Sequence, residues 1–231
     1  MKIGGIQKLS LVDYPGKVAA SIFTIGCNFR CGFCHNPKLV LPECYTETLD
    51  ENDILDFLKS RTGKLDAAVI SGGEPTLHQD LPDFIKKIKD MGYLVKLDSQ
   101  GSNPDMLKKL LDAKLLDFIA MDIKAPLEKY SKIMSWEIDP KIIKKSIKLI
   151  KNSGLDYEFR TTVVKSQLSF EDFHAIGKAI RGAKRFALQH FKPNPEMVNT
   201  DKFKDETTYS DGEFEQIRQI MLKYVDTCVI H

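Results

Sequence analysis

Two patterns of apolar residues alternate along this chain. Short β-branched or aromatic runs at 18–25, 67–71, 93–97, 118–123, 157–164 and 185–191 read as buried strands. Between them, apolar positions recur three and four residues apart, as on one face of a helix. Asp50 caps the first such stretch, whose apolar face is Ile54, Leu55, Phe57 and Leu58. Residues 79–91 follow with Leu81, Phe84, Ile85 and Ile88 inward, and Gly92 stops them. Asn103-Pro104 and Asp139-Pro140 each pair a capping residue with proline at the first helical position; the second helix ends near Gly154. Ser169-x-x-Asp172 opens a helix closed by Gly182, and Ser210-x-x-Glu213 is a capping box for the last one. Residues 225–230 read as a terminal strand. Residues 1–17 are a lead-in rich in glycine and turn residues, whereas 38–50 and 192–209 show no clear period.

Six strands alternating with helices imply right-handed crossovers and a parallel sheet. Six units fall short of the eight that close a full barrel. The expected fold is therefore α/β, an open, partial (β/α)6 TIM-like barrel in a single domain. Its parts are the lead-in 1–17, the core 18–191 and a C-terminal helix and strand within 192–231. Composition adds exclusions: a net charge of +2 over 231 residues argues for neither nucleic acid nor a membrane surface. No apolar run approaches the roughly 20 residues of a spanning helix, and no signal peptide is apparent. A cytoplasmic location is expected, and three of five cysteines crowded within eight residues do not resemble a disulfide framework.

Chemistry concentrates after the first of these strands. Cys27, Cys31 and Cys34 stand at C-x3-C-x2-C spacing between Gly26 and His35. Three thiolates so close along the chain share a centre only if the backbone curls tightly, and Gly26 and Gly32 permit that curl. Soft thiolates select iron–sulfur clusters or zinc. His35 or Cys44 would complete a closed zinc site, whereas a reactive centre keeps one position open.

That spacing, with Phe33 just before the last cysteine, resembles the signature of radical S-adenosylmethionine (SAM) enzymes. The resemblance implies one [4Fe–4S] cluster on Cys27, Cys31 and Cys34, with a free iron that chelates the amino and carboxylate groups of SAM. The wider stretches Gly4-Gly5-Ile6-Gln7-Lys8, Asp13-Tyr14-Pro15-Gly16-Lys17, Thr24-x-Gly26-Cys27-Asn28 and Cys34-His35-Asn36-Pro37 are narrower in what they match. They resemble the activating proteins of glycyl radical enzymes, above all the longer type assigned to anaerobic ribonucleoside-triphosphate reductase.

In parallel α/β sheets ligands bind at the carboxyl ends of the strands, where the remaining unusual residues fall. Gly72-Gly73-Glu74-Pro75 offers backbone groups to a ligand's ammonium, and the resemblance assigns it the SAM amino group; the plain alternative is a strand-to-helix turn. Asp98-Ser99-Gln100-Gly101 stands where related activases carry Asp-Thr-Asn-Gly. Its acid and hydroxyl suit ribose or a small cation, and Gln100 departs from the pattern. Asp122 and Lys124 share one face of their strand. The resemblance implies Lys124 near the SAM carboxylate and Asp122 near SAM or a monovalent cation shared with Asp98; the alternative is a structural ion pair. Arg160 resembles an arginine aimed at SAM or the incoming polypeptide, though a salt bridge reads the same. Gln189 and His190 are candidates for the adenine or methionyl part, and Phe33 for packing on adenine.

Other features call for no chemistry. Cys44 reads as a spare thiol and Cys228 as core. Lys141, Lys144, Lys145, Lys148 and Lys151 form a solvated helix face. Tyr130 and Trp136 read as a packed surface loop or a partner clamp. No further cysteine-rich insertion is expected before Gly72. The expectation is an oxidoreductase that cleaves SAM to a 5′-deoxyadenosyl radical and installs a glycyl radical on a partner, anaerobic ribonucleotide reductase first, with a flavodoxin- or ferredoxin-type electron donor. A radical SAM enzyme acting on a small molecule and a structural zinc protein are the alternatives.

Overall fold

In the computed structural model, which describes residues 1–231 throughout, the chain builds one eight-stranded sheet. Strand order follows chain order: β1 (Ile3–Ser10), β2 (Ala19–Thr24), β3 (Ala67–Gly72), β4 (Leu94–Ser99), β5 (Phe118–Asp122), β6 (Asp156–Val163), β7 (Ala183–His190) and β8 (Val225–Ile230). Strands β2 to β8 pair in parallel, and β1 pairs antiparallel to β2. β1 and β8 end the sheet without pairing to each other, so the barrel is partial and open.

The helices are α1 (Pro37–Val40), α2 (Glu51–Ser60), α3 (Leu81–Asp90), α4 (Pro104–Asp112), α5 (Tyr130–Met134), α6 (Pro140–Lys151), α7 (Phe170–Ala179), α8 (Thr200–Phe203) and α9 (Asp211–Met221). Their starts follow the caps in the sequence. Asp50 accepts from the Asn52 N–H at 2.7 Å, Asn103 from Met106 at 3.2 Å and Asp139 from Lys141 at 2.9 Å. Asp172 and Glu213 reach back to the backbone of Ser169 and Ser210, each at 2.8 Å. None of the helices is long and apolar enough to cross a membrane.

Alternation along each strand divides the sheet into two unlike faces. The outer face, with Ile70, Leu97, Met121, Phe159 and Phe186, joins the helices in one large apolar core. The inner face begins apolar: Tyr14, Ala19, Ala67, Val69, Phe118 and Ala120 form a separate cluster at the strand starts. Further along, the inner positions turn polar, through Lys96, Asp98, Asp122 and Arg160. The charged residues are thus held at the carboxyl ends, above an apolar floor.

Two segments depart from the sequence expectation. Much of the lead-in is strand β1, whose glycines hide strand propensity and whose hydrogen bonds come from β2. The terminal strand is no appendage; β8 extends the sheet as a seventh parallel strand beside β7.

Candidate active site

Strand β2 delivers the chain to the cysteine loop. Gly26 makes the turn at φ +109°, a conformation that favours glycine. Gly32 serves differently. Its φ is not positive, but a Cβ there would lie 2.4 Å from the Phe203 ring. Glycine at 32 is therefore a matter of space rather than backbone angle.

The loop is held from three sides. The Arg30 guanidinium donates to the carbonyls of Cys27 and Phe29, at 2.5 and 2.8 Å. From α5, the Met134 carbonyl accepts from the Arg30 N–H at 2.8 Å, and the Met134 sulfur lies 3.3 Å from Cys31 Sγ. From the chain after β7, the N–H groups of Val198 and Asn199 donate to the carbonyls of Cys34 and Gly32, at 3.0 and 2.9 Å. Phe203 then packs edge-on against Phe33, with ring centroids 6.0 Å apart. This strap, aperiodic in sequence, carries no signal of its role beyond its aromatic and Asn residues. Burial pushes the Cys27 and Cys31 thiols up to about 12, and the Cys34 thiol is raised by the same cause. Their conversion to ligating thiolates needs a cationic centre.

The loop after β3 is zipped to the entry of the cysteine loop. Gly73 N–H donates to Thr24 O at 2.9 Å, and Glu74 N–H to Gly26 O at 2.7 Å. A Cβ on Gly73 would sit 2.2 Å from Gly26 O, so only glycine allows this approach. Glu74 is fully buried and turned away from a ligand role. Its carboxylate accepts from Ser99 Oγ at 2.8 Å, from the Gln100 N–H at 2.7 Å, and from both the N–H and hydroxyl of Thr76. Burial raises its pKa against the lowering effect of those hydrogen bonds. Glu74 thus locks the end of β4 to the end of β3.

The carboxyl ends of β4, β5 and β6 carry a chain of alternating charge. Lys96 Nζ lies 2.5 Å from Asp98, and Arg160 reaches Asp98 at 3.1 Å and Asp122 at 2.6 Å. Lys124 Nζ lies 2.6 Å from the other Asp122 oxygen. Burial alone would raise the Asp122 carboxyl, but Arg160 and Lys124 hold it well below the usual carboxylate range. Asp98 is lowered in the same way, by Arg160 and Lys96 against burial. Burial opposes the charge on Lys124 too, yet Asp122 raises its pKa. Of these cations Lys124 and Arg160 line the cavity, each already paired with a carboxylate. The guanidinium of Arg160 bridges the two carboxylates, where the sequence suggested a monovalent cation. Tyr130, read as surface loop, is fully buried; its hydroxyl accepts from the Lys124 N–H at 3.0 Å and donates to Asp122 O at 3.3 Å.

These elements enclose one cavity of about 260 Å³. Cys27, Cys31, Phe33, Cys34, Gly72, Gly73, Glu74, Asp98, Ser99, Gln100, Asp122, Lys124 and Arg160, all candidates from the sequence, line it. His35, considered there only as a zinc ligand, also lines it, and Phe29, Asn36, Val40, Ser71 and Thr162 join them without having been given a role. Three expected residues do not line it. Pro75 begins a short 3-10 turn behind the loop. His190 lies on the outer face, stacked on Phe214 of α9 with centroids 3.8 Å apart. Gln189 shares the inner face but lies beside Thr162 on the next strand, beyond the cavity wall. Among its His, Cys, Asp and Glu side chains, no three are gathered as a single metal ion requires.

Known proteins resemble this chain in sequence and in fold. The family model of the radical SAM superfamily matches residues 21–179. A protein of Methanocaldococcus jannaschii, provisionally named a glycyl-radical enzyme activating enzyme, is 36% identical over 99% of this chain and 95% of its own. The chain is a radical SAM protein of the glycyl-radical enzyme activating family. Pyruvate formate-lyase-activating enzyme of Clostridium pasteurianum is 30% identical over 53% of this chain and 52% of its own. A 7-carboxy-7-deazaguanine synthase of Aquifex aeolicus is 27% identical over 67% of this chain and 64% of its own. Among solved structures, Streptococcus suis SuiB superposes with a TM-score of 0.66 at 15% identity, over 91% of this chain and 47% of that one. That likeness is one of fold. The site suits the superfamily's cluster: three soft thiols line one shared cavity.

Proposed function

We propose that this radical SAM protein installs a glycyl radical on a partner enzyme, with anaerobic ribonucleotide reductase as the first candidate. The observation that carries the reading is the single cavity joining the three thiols to the charged carboxyl ends of β4, β5 and β6. Cys27, Cys31 and Cys34 would hold a [4Fe–4S] cluster. When bound, the cluster supplies the electron that cleaves SAM to methionine and the 5′-deoxyadenosyl radical.

The chain's own groups account for the rest. The backbone at Gly72 and Gly73 is exposed to the cavity and suits the SAM ammonium. The Lys124 ammonium and the Arg160 guanidinium, both lining the cavity, suit its carboxylate. The Asp98 carboxylate, which lines the cavity, suits a hydroxyl group. Because Asp122 and Asp98 already grip the two cations, the ligand meets a preorganised field rather than mobile side chains. Phe29, Phe33 and Val40 dry the walls around the thiols. The edge strands β1 and β8 are not paired to each other, which suits entry of a polypeptide into the barrel. An acidic flavodoxin or a ferredoxin would serve as electron donor.

The test is anaerobic. Protein loaded with iron and sulfide is reduced, given SAM, and followed by EPR spectroscopy and 5′-deoxyadenosine release. Mixing with anaerobic ribonucleotide reductase should then give a glycyl radical doublet on that partner. Conversion of a small metabolite without any partner would instead favour the reading suggested by the deazaguanine synthase likeness. A colourless, zinc-loaded protein that takes up no iron would overturn both.

A further inference from the structure

Gln100 stands where the sequence departs from related activases, and its surroundings are unusual. Its backbone N–H is pinned by the buried Glu74 carboxylate at 2.7 Å. Its side chain is 5% exposed and crosses to the cysteine loop. There Nε2 donates to Asn28 Oδ1 at 2.5 Å and lies 3.8 Å from Cys27 Sγ. Asn28 is held in turn by Ser102, whose hydroxyl lies 3.1 Å from Nδ2. The other end of the carboxamide, Gln100 Oε1, is the one buried side-chain oxygen or nitrogen in the protein without a hydrogen-bond partner. An unpaired buried acceptor is destabilising. Packing alone would be better served by an apolar side chain of similar length, so the donor end must be what the site uses.

We propose that Gln100 is a positioning residue for the iron–sulfur centre, donating an N–H to the Cys27 sulfur and thereby setting the centre's reduction potential. The inference rests on the cluster assignment made above. An N–H aimed at a ligating sulfur stabilises the electron-rich, reduced state, so its loss lowers the potential. The fixed backbone of Gln100 supports this role. Glu74 binds Gln100 and Ser99 together, so the donor is anchored to the sheet. An asparagine is shorter by one methylene; from the same backbone position its amide falls short of Cys27. The longer amide is thus the feature that brings a sheet-anchored donor to the sulfur.

The experiment compares reconstituted wild type with Gln100→Leu and Gln100→Asn. Iron and sulfide analysis comes first, then an EPR-monitored redox titration without SAM. All three proteins should hold one four-iron cluster, since the cysteines are intact. Both variants should titrate at a lower midpoint potential than wild type. Ser102→Ala, which loosens Asn28 but leaves the donor, should titrate with wild type. Pulsed EPR of the wild-type cluster in H2O and D2O should show an exchangeable proton coupling that Gln100→Leu lacks. Unchanged potential and unchanged proton coupling in cluster-loaded variants would overturn the proposal. Should Gln100→Leu fold poorly, Gln100→Asn and the wild-type proton coupling decide it. Failure of wild type itself to bind a four-iron cluster would overturn the cluster assignment, and this inference with it, and is read at the first step.

Discussion

At the scale of residues, the site depends on a few side chains that hold one another at the strand ends. Cys31 is one of the three thiols that line the cavity. Cys31→Ala should take up no stable cluster and release no 5′-deoxyadenosine, measured by iron content and product assay. Asp122 matters in a different way, because Arg160 and Lys124 both lean on it. Asp122→Asn leaves Lys124 unpaired and Arg160 with Asp98 alone, which should lower stability in a urea titration. The pH dependence has a definite sign. The folded carboxyl is depressed below its unfolded value of about 3.9, so its contribution is complete at neutral pH and lost as pH falls below about 4. Wild-type stability should therefore fall on acidification, and the Asp122→Asn variant should lack that part of the fall. Gly73 is constrained by backbone rather than by charge. Gly73→Ala pushes the loop away from Gly26 and should weaken SAM binding severalfold by equilibrium dialysis.

At the scale of elements, what the sequence revealed and what it hid have the same cause. Periodicity is local, and so are caps. The Asp50, Asn103, Asp139, Ser169 and Ser210 caps each act within three residues of themselves, and each was legible. The cysteines, the Gly72–Gly73 pair and the Asp122/Lys124 pair were legible too, because each is a contiguous motif at a strand end. Contacts between distant segments left no such trace. Nothing near His190 announces that Phe214 will stack on it and hold it outside the cavity. Nothing in residues 192–209 announces a strap across the cysteine loop. The burial of Tyr130 beneath Lys124 depends on α5, a helix of five residues with no amphipathic period. The strap makes a prediction of its own. Phe203 is 2% exposed and fills the space above Gly32 and Phe33. Phe203→Ala should destabilise the protein by about 3 kcal/mol. Hydrogen exchange should show the Val198 and Asn199 amides losing protection before the sheet does.

At the scale of the whole molecule, one sheet divides its labour between two faces. The outer face is continuous with the helices and supplies cohesion. The inner face holds charge over an apolar floor and opens to one side. An open barrel suits a reaction on a polypeptide, and the expected kinetics follow. SAM cleavage should be slow in the protein alone and should rise when the glycyl radical partner is added, measured as 5′-deoxyadenosine per radical formed. The strap also links the two ends of the chain. The carbonyls of Gly32 and Cys34 receive their donors from Asn199 and Val198, and the ring above Gly32 belongs to Phe203. During synthesis, the cysteines emerge from the ribosome long before those partners exist. The cysteine loop is therefore finished last although it is made first, and a nascent chain presents its three thiols without their cover.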